Sequence, residues 1–158
     1  MLPILRPGES EGGRANAAAV TRHVVSLPGE QQLAYAMSVF TPSLAISPDG
    51  RRLVHVGVTP GYATQLYLRN LDEFESAPIP GTAGAYTPFF SPDGTWVGFF
   101  QAGELRRIST AGGQPVTICA VSSQALGAHW LADDTIVFAL GIGAGLCASR
   151  RAAGNPRS

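Results

Sequence analysis

Ser47-Pro48-Asp49-Gly50 and Ser91-Pro92-Asp93-Gly94 are the same four residues, 44 positions apart. Each follows a short apolar run, Leu44-Ala45-Ile46 or Phe89-Phe90, and precedes another, Leu53-Val54-His55-Val56 or Trp96-Val97-Gly98-Phe99-Phe100. Pro presets φ at the second position of a turn. Ser and Asp hydrogen-bond nearby backbone, and Gly takes the conformation that strains other residues. Each copy therefore predicts a tight reversal between two buried strands.

A strand repeat of this length is a propeller signal, since WD-type and kelch-type blades recur every ~40 to 50 residues as four-stranded antiparallel sheets. An altered third copy, Trp130-Leu131-Ala132-Asp133-Asp134-Thr135, aligns with Phe90-Ser91-Pro92-Asp93-Gly94-Thr95 at an offset of 40, and the apolar Ile136-Val137-Phe138 follows. A slip of one residue in that register would exchange the two faces of the strand. A second landmark also recurs. Leu105 to Pro115 and Leu146 to Pro156 each span ten positions, enclosing Ala111-Gly112-Gly113-Gln114 and Ala152-Ala153-Gly154-Asn155.

The expected fold is all-β: a partial β-propeller of about three four-stranded antiparallel blades, the third incomplete. Repeats fall near 41–84, 85–126 and 127–158, within a propeller region 22–158 that follows a polar, Gly-rich linker at 1–21. In the first repeat the expected strands are 44–46, 53–58, 65–69 and 77–80, with Thr59-Pro60-Gly61 as a turn. The prolines of Ala77-Pro78-Ile79-Pro80 suit an outer edge, where a missing N–H costs nothing. The second repeat has 89–90, 96–100, 105–108 and 116–120; the third has a hairpin around Asp133-Asp134. Before them, 24–27 reads as a short strand and 33–40 as an apolar lead-in. Closed rings need about four to eight blades. Three therefore predict a fragment, part of an oligomeric ring, or an open array. Such an array would expose residues such as Val54, Val56, Ile136 and Phe138 at its end blades, and would self-associate through them.

Composition narrows the function. Charged residues are 14% of the chain and the net charge is zero, so no long-range field steers nucleic acid or an anionic membrane. All eleven basic residues are Arg. That excludes a P-loop lysine, a kinase strand lysine and a Schiff-base lysine. No run approaches the ~18 apolar residues of a membrane span, and Met1 to Leu5 is too short for a signal core, so the residues alone predict no route out of the cytoplasm. Cys119 and Cys147, the only thiols, read as small buried apolar residues rather than as a disulfide framework.

Candidate chemistry is sparse. Gly8-Glu9-Ser10-Glu11-Gly12 matches G-x-S-x-G, but a nucleophile elbow needs a strand before Ser and a helix after it, and this stretch is linker-like. His23, His55 and His129 show no metal-ligand spacing; His55 aligns with Phe99 and reads as a packing residue. Asp133 and Asp134 read as turn residues rather than paired acids. Trp96 and Trp130 read as blade packing. Gly141-Ile142-Gly143-Ala144-Gly145 precedes no helix and reads as a loop, not a phosphate cradle. The residues thus predict no catalytic, metal or cofactor site. They assign structural turns to Ser47, Pro48, Asp49, Gly50, Ser91, Pro92, Asp93, Gly94, Asp133 and Asp134.

From about Arg22 to Pro156 the chain resembles known repeats. Leu44-Ala45-Ile46-Ser47-Pro48-Asp49-Gly50-Arg51-Arg52-Leu53-Val54 is similar to the inner hairpin of Tol-type, WD40-like periplasmic propellers. Gln65-Leu66-Tyr67-Leu68-Arg69, Pro78-Ile79-Pro80-Gly81-Thr82 and Phe89-Phe90-Ser91-Pro92-Asp93-Gly94 resemble one subgroup, as does Asp133-Asp134-Thr135-Ile136-Val137-Phe138. That subgroup is the C-terminal propeller of bacterial eukaryotic-like receptor Ser/Thr kinases. The resemblance implies a propeller outside the cytoplasm, behind a kinase domain and a membrane helix. No kinase motif is present in this sequence, and Ser149 stands where the second repeat has Ile108. The expected function is a non-catalytic interaction or sensor module without cofactor, binding a protein or small ligand. The alternatives are an accessory propeller fragment of a serine peptidase and a stand-alone periplasmic propeller binding envelope proteins.

Overall fold

The computed structural model describes residues 43–58, 63–141 and 146–150. The linker with Ser10, His23, the runs 24–27 and 33–40, the turn at 59–61 and the glycines of 142–145 lie outside the described residues.

The first sheet comprises β1 (Leu44–Ile46), β2 (Arg52–Val58), β3 (Thr64–Asn70) and β4 (Ala77–Pro78), in that spatial order. The second comprises β5 (Tyr86–Phe90), β6 (Trp96–Gln101), β7 (Glu104–Ser109) and β8 (Val116–Ala120), also in chain order. The third is the meander β9 (Ala125–Trp130), β10 (Thr135–Leu140) and β11 (Leu146–Arg150). Every pairing is antiparallel. The described residues are thus an all-β, partial propeller of three sheets.

Strand β6 shows how the sheets stack. Side chains alternate across a strand, and Val97 and Phe99 join one core while Phe100 joins the other. The first core gathers Val54, Val56 and Leu66 of the first sheet against Phe90, Val97, Phe99 and Ile108 of the second. The other gathers Phe89, Phe100 and Leu105 against Trp130, Ile136, Phe138 and Leu140 of the third. Phe100 meets Phe138 edge-on, with ring centroids 5.7 Å apart, and Phe89 meets Trp130 likewise at 6.3 Å. Fully burying each such side chain is worth ~1.5–3 kcal/mol, so the two cores supply most of the cohesion between sheets.

The end-blade expectation is corrected here. Val54, Val56, Ile136 and Phe138 are all buried, because each points toward the second sheet. The exposed large apolar residues at the first sheet are instead Leu44, 47% exposed, and Ile46, 57%, on β1, with Phe74, 91%, in the β3–β4 connection. Leu44 and Ile46 pair with His55 and Leu53 and so share the face that points away from the second sheet. The corresponding residues of the second sheet, Phe90, Val97 and Phe99, are the ones that pack on the first.

The segment joining the first two sheets is pinned at several points. Thr82, fully buried, donates its hydroxyl to the Ile79 carbonyl at 2.6 Å and accepts the Leu66 N–H at 3.1 Å. Gln101 Nε2 donates to the Gly81 and Ala83 carbonyls at 3.1 and 2.7 Å.

Candidate functional site

The three β-hairpin turns lie at one end of the stacked sheets, and their polar chemistry is the most organised in the chain. In the first, the Gly50 N–H donates to the Ser47 carbonyl at 2.8 Å and the Ser47 N–H to the Arg52 carbonyl at 2.9 Å. The Ser47 hydroxyl donates to Asp49 Oδ1 and accepts the Arg52 N–H at 2.9 Å, and Asp49 Oδ1 also accepts the Arg51 N–H at 3.1 Å. The second turn repeats this set: Ser91 to Asp93, Trp96 N–H to Ser91 at 3.0 Å, and Thr95 N–H to Asp93 at 3.0 Å. Gly50 and Gly94 both have φ +68°, the left-handed conformation that glycine enters without a Cβ penalty. The Ser47 hydroxyl, then the Arg51 N–H, holds the Asp49 carboxyl below the usual carboxylate range. Ser91 and Thr95 do the same for Asp93.

The third turn reaches the same shape with different residues. Asp134 takes the glycine place at φ +63°, a conformation Asp tolerates better than most side chains. Its N–H donates to the Leu131 carbonyl at 3.2 Å, and Asp133 Oδ1 accepts the Thr135 N–H at 3.0 Å. Leu131 replaces the serine, so the Ser–Asp bond is gone. The closing bond runs from the Leu131 N–H to the Thr135 carbonyl, whereas in the second turn it runs from Ser91 to Trp96. The third loop is one residue shorter, which fixes the register: Ile136 corresponds to Val97. Ser149 then pairs with Ile136 as Ile108 pairs with Val97.

Beside the second turn stand two guanidinium contacts. Arg52, which aligns with Trp96, reaches across from the first sheet, and its Nη1 donates to Thr110 Oγ1 at 2.8 Å. Its Nη2 lies 3.2 Å from where a Cβ on Gly94 would sit. The Arg107 guanidinium covers the Trp96 ring at 4.4 Å from its centroid. Trp130 Nε1 donates to Asp134 Oδ1 at 3.3 Å.

His55 packs in the interior, as its alignment with Phe99 predicts, whereas the burial of Thr87 was not foreseen. His55 is fully buried and stacks on Tyr67, rings 5.4 Å apart at 17°, yet neither ring nitrogen has a hydrogen-bond partner among the described residues. Burial, with the Arg69 charge adding to it, pushes its pKa down to about 4. Thr87 is a β-branched residue at φ +50°, buried in the irregularity of β5, and its hydroxyl has no partner among the described residues. Nothing local in the sequence marks Thr87.

Among the described residues no three His, Cys, Asp or Glu side chains gather as a metal site. Cys119 and Cys147 are free thiols and half-buried. Among the described residues no helix is long and apolar enough to cross a membrane.

No protein-family model matches the chain, and no curated protein does. Solved structures are similar in fold. TolB from Acinetobacter baumannii aligns at TM-score 0.59 and 14% identity, over 85% of this chain and 34% of that one. A TolB-type protein from Agrobacterium tumefaciens aligns at TM-score 0.52 and 22% identity, over 60% of this chain and 36% of that one. The chain thus spans about a third of the length of these structures.

Proposed function

We propose that the chain is part of a non-catalytic β-propeller that acts as an interaction or sensor module. The observation that carries this is where the repeated polar residues go. Ser47, Asp49, Ser91 and Asp93 direct their side-chain hydrogen bonds into their own turns. The motif is scaffold, and function falls to the surfaces that the scaffold presents. The likeness of fold to TolB supports the same architecture. The finer reading is that the module belongs to a receptor-like Ser/Thr kinase and lies outside the cytoplasm. It rests on the sequence resemblance carried by Gln65-Leu66-Tyr67-Leu68-Arg69, Pro78-Ile79-Pro80-Gly81-Thr82 and the second turn.

Two tests separate these levels. Purified protein is expected to show no turnover of ATP, fluorogenic peptides or nitrophenyl esters; turnover that co-purifies with the chain overturns the module reading. The coding DNA upstream is expected to hold a kinase domain and a membrane span in frame. A hydrolase domain there, or a signal peptide alone, overturns the kinase reading and leaves the module standing.

A further inference from the structure

We propose that the face of the first sheet turned away from the second is covered by this chain's own segment 24–40, which packs on Leu53, His55 and Tyr67. The register sets Leu44, His55 and Tyr67 in one row across β1, β2 and β3, and Ile46, Leu53 and Arg69 in another row on the same face. The second sheet packs on the opposite face, through Val54, Val56 and Leu66. A sheet face with nothing on it leaves its side chains in solvent. Leu44 and Ile46 follow that rule, yet Leu53 and Tyr67 are each 7% exposed and His55 not at all. Tyr67 explains part of this. A Cβ on Gly57 would lie 2.6 Å from Tyr67 Cε2, so the ring lies flat on β2, where it also stacks on His55. The outer side of that ring, and Leu53, still need a cover. Phe74 of the β3–β4 connection is 91% exposed and is not that cover.

These burials hold for the chain by itself, so the cover is part of it. Residues 59–62 join β2 to β3 at the end of the hairpin away from Leu53. Residues 142–145 and 151–158 adjoin β11 in the third sheet, and the second sheet stands between. That leaves the chain leading into β1. It carries the apolar runs Val24-Val25-Ser26-Leu27 and Leu33 to Phe40. Extended, the second run spans ~26 Å at ~3.3 Å per residue, against ~10 Å for two strand spacings, so it can cross from β1 to β3. His55 adds a polar demand. Buried imidazole nitrogens nearly always have partners, one nitrogen donating and one accepting. Neither nitrogen of His55 has one among the described residues. The backbone of the segment, or Gln31, Gln32 and Ser38, can supply it. The face is then interior, and of its apolar side chains only Leu44 and Ile46 stay open to a partner.

The inference goes beyond the interaction-module reading and does not depend on it. The whole chain serves for the test, as a mixture of isotope-labelled and unlabelled protein. The His55 ring and the Leu53 methyls are expected to show Overhauser contacts to residues 24–40 of the same molecule. Contacts that arise only between molecules, contacts only to residues outside 24–40, or none beyond β1, β2 and β3 overturn the proposal. Acylation of imidazole by diethyl pyrocarbonate, read by peptide mass spectrometry, is a second measure. Val25→Ser/Leu27→Ser/Phe40→Ser is expected to raise the rate at His55 about tenfold or more, because the loosened segment opens locally. The rate at His129, which is exposed, is expected to stay the same. An unchanged near-ultraviolet circular dichroism spectrum certifies that the variant is folded. A folded variant whose His55 reacts as in the parent overturns the proposal. If the variant does not fold, the Overhauser contacts in the parent decide alone.

Discussion

Gly98→Ala tests the packing between the second and third sheets at one atom. Phe89 pairs with Gly98 across β5 and β6, and its ring lies over the glycine. A Cβ at position 98 would sit 2.3 Å from Phe89 Cζ and 2.4 Å from Cε2, far inside van der Waals contact. Backbone strain does not enter, because Gly98 is not among the residues at positive φ. The ring must therefore move. It is buried, 6.3 Å from the rings of both Phe100 and Trp130, so moving it disturbs the whole core. Overpacking of this kind costs ~1–3 kcal/mol. At about 2 kcal/mol the melting temperature of a chain this size falls by about 4–8 °C. Thermal melts of Gly98→Ala, Phe89→Leu and the double variant check the mechanism. A smaller side chain at 89 makes room for the methyl, so the double variant should fall short of additivity by ~1 kcal/mol or more. Gly127→Ala is the control: nothing lies within 4 Å of its added Cβ, and a strand alanine should match or gain ~0.5 kcal/mol. A Gly98→Ala melt within ~0.5 kcal/mol of the parent, or strict additivity with Phe89→Leu, would refute the reasoning.

Three further outcomes are expected. His55 titrates near 6.5 when unfolded and near 4 when folded. As pH falls through that window the unfolded chain takes up a proton that the folded chain refuses, and about 3 kcal/mol of stability is lost. Urea unfolding across pH 4–7 should show this slope, and His55→Phe should flatten it while leaving the later acid loss from Asp49 and Asp93. Gly50→Val should cost about 1–2 kcal/mol through its positive φ, and Gly94→Val more, because its Cβ also meets Arg52 Nη2 at 3.2 Å; equal or negligible costs in denaturant melts would contradict the turn geometry. Sedimentation at micromolar concentration should show association that weakens in Leu44→Ser/Ile46→Ser, since these are the exposed apolar residues of β1; a concentration-independent monomer would show that β1 needs no cover.

The turns were legible in the sequence because their determinants are local. Pro48, Asp49 and Gly50 specify one reversal within four residues, and the repeat at Ser91 names its equivalent. Strand positions followed from apolar runs beside those turns. What escaped was set by partners distant in the chain. Val54 and Ile136 are apolar, and only the stacking of sheets decides that they face inward while Ile46 does not. The third loop lost one residue at a place where Leu131 and Asp134 no longer spell the motif, so the register was open to a slip of one. Thr82 is read only as part of a family resemblance and Gln101 not at all, and their clamps depend on backbone groups up to 20 residues away. Nothing beside Arg52 in the sequence signals its bond to Thr110, 58 positions on.

The central claim is that three sheets stack like propeller blades, so that neighbouring residues of β6 face different sheets. Nuclear Overhauser contacts in the isotope-labelled chain test it most directly. The Phe99 ring is expected to contact methyl groups of Val54, Val56 or Leu66, and the Phe100 ring is expected to contact the Phe138 ring, 5.7 Å away between centroids. Contacts from both rings to the same sheet, or none from Phe100 to the third sheet, would contradict the stacked-blade account.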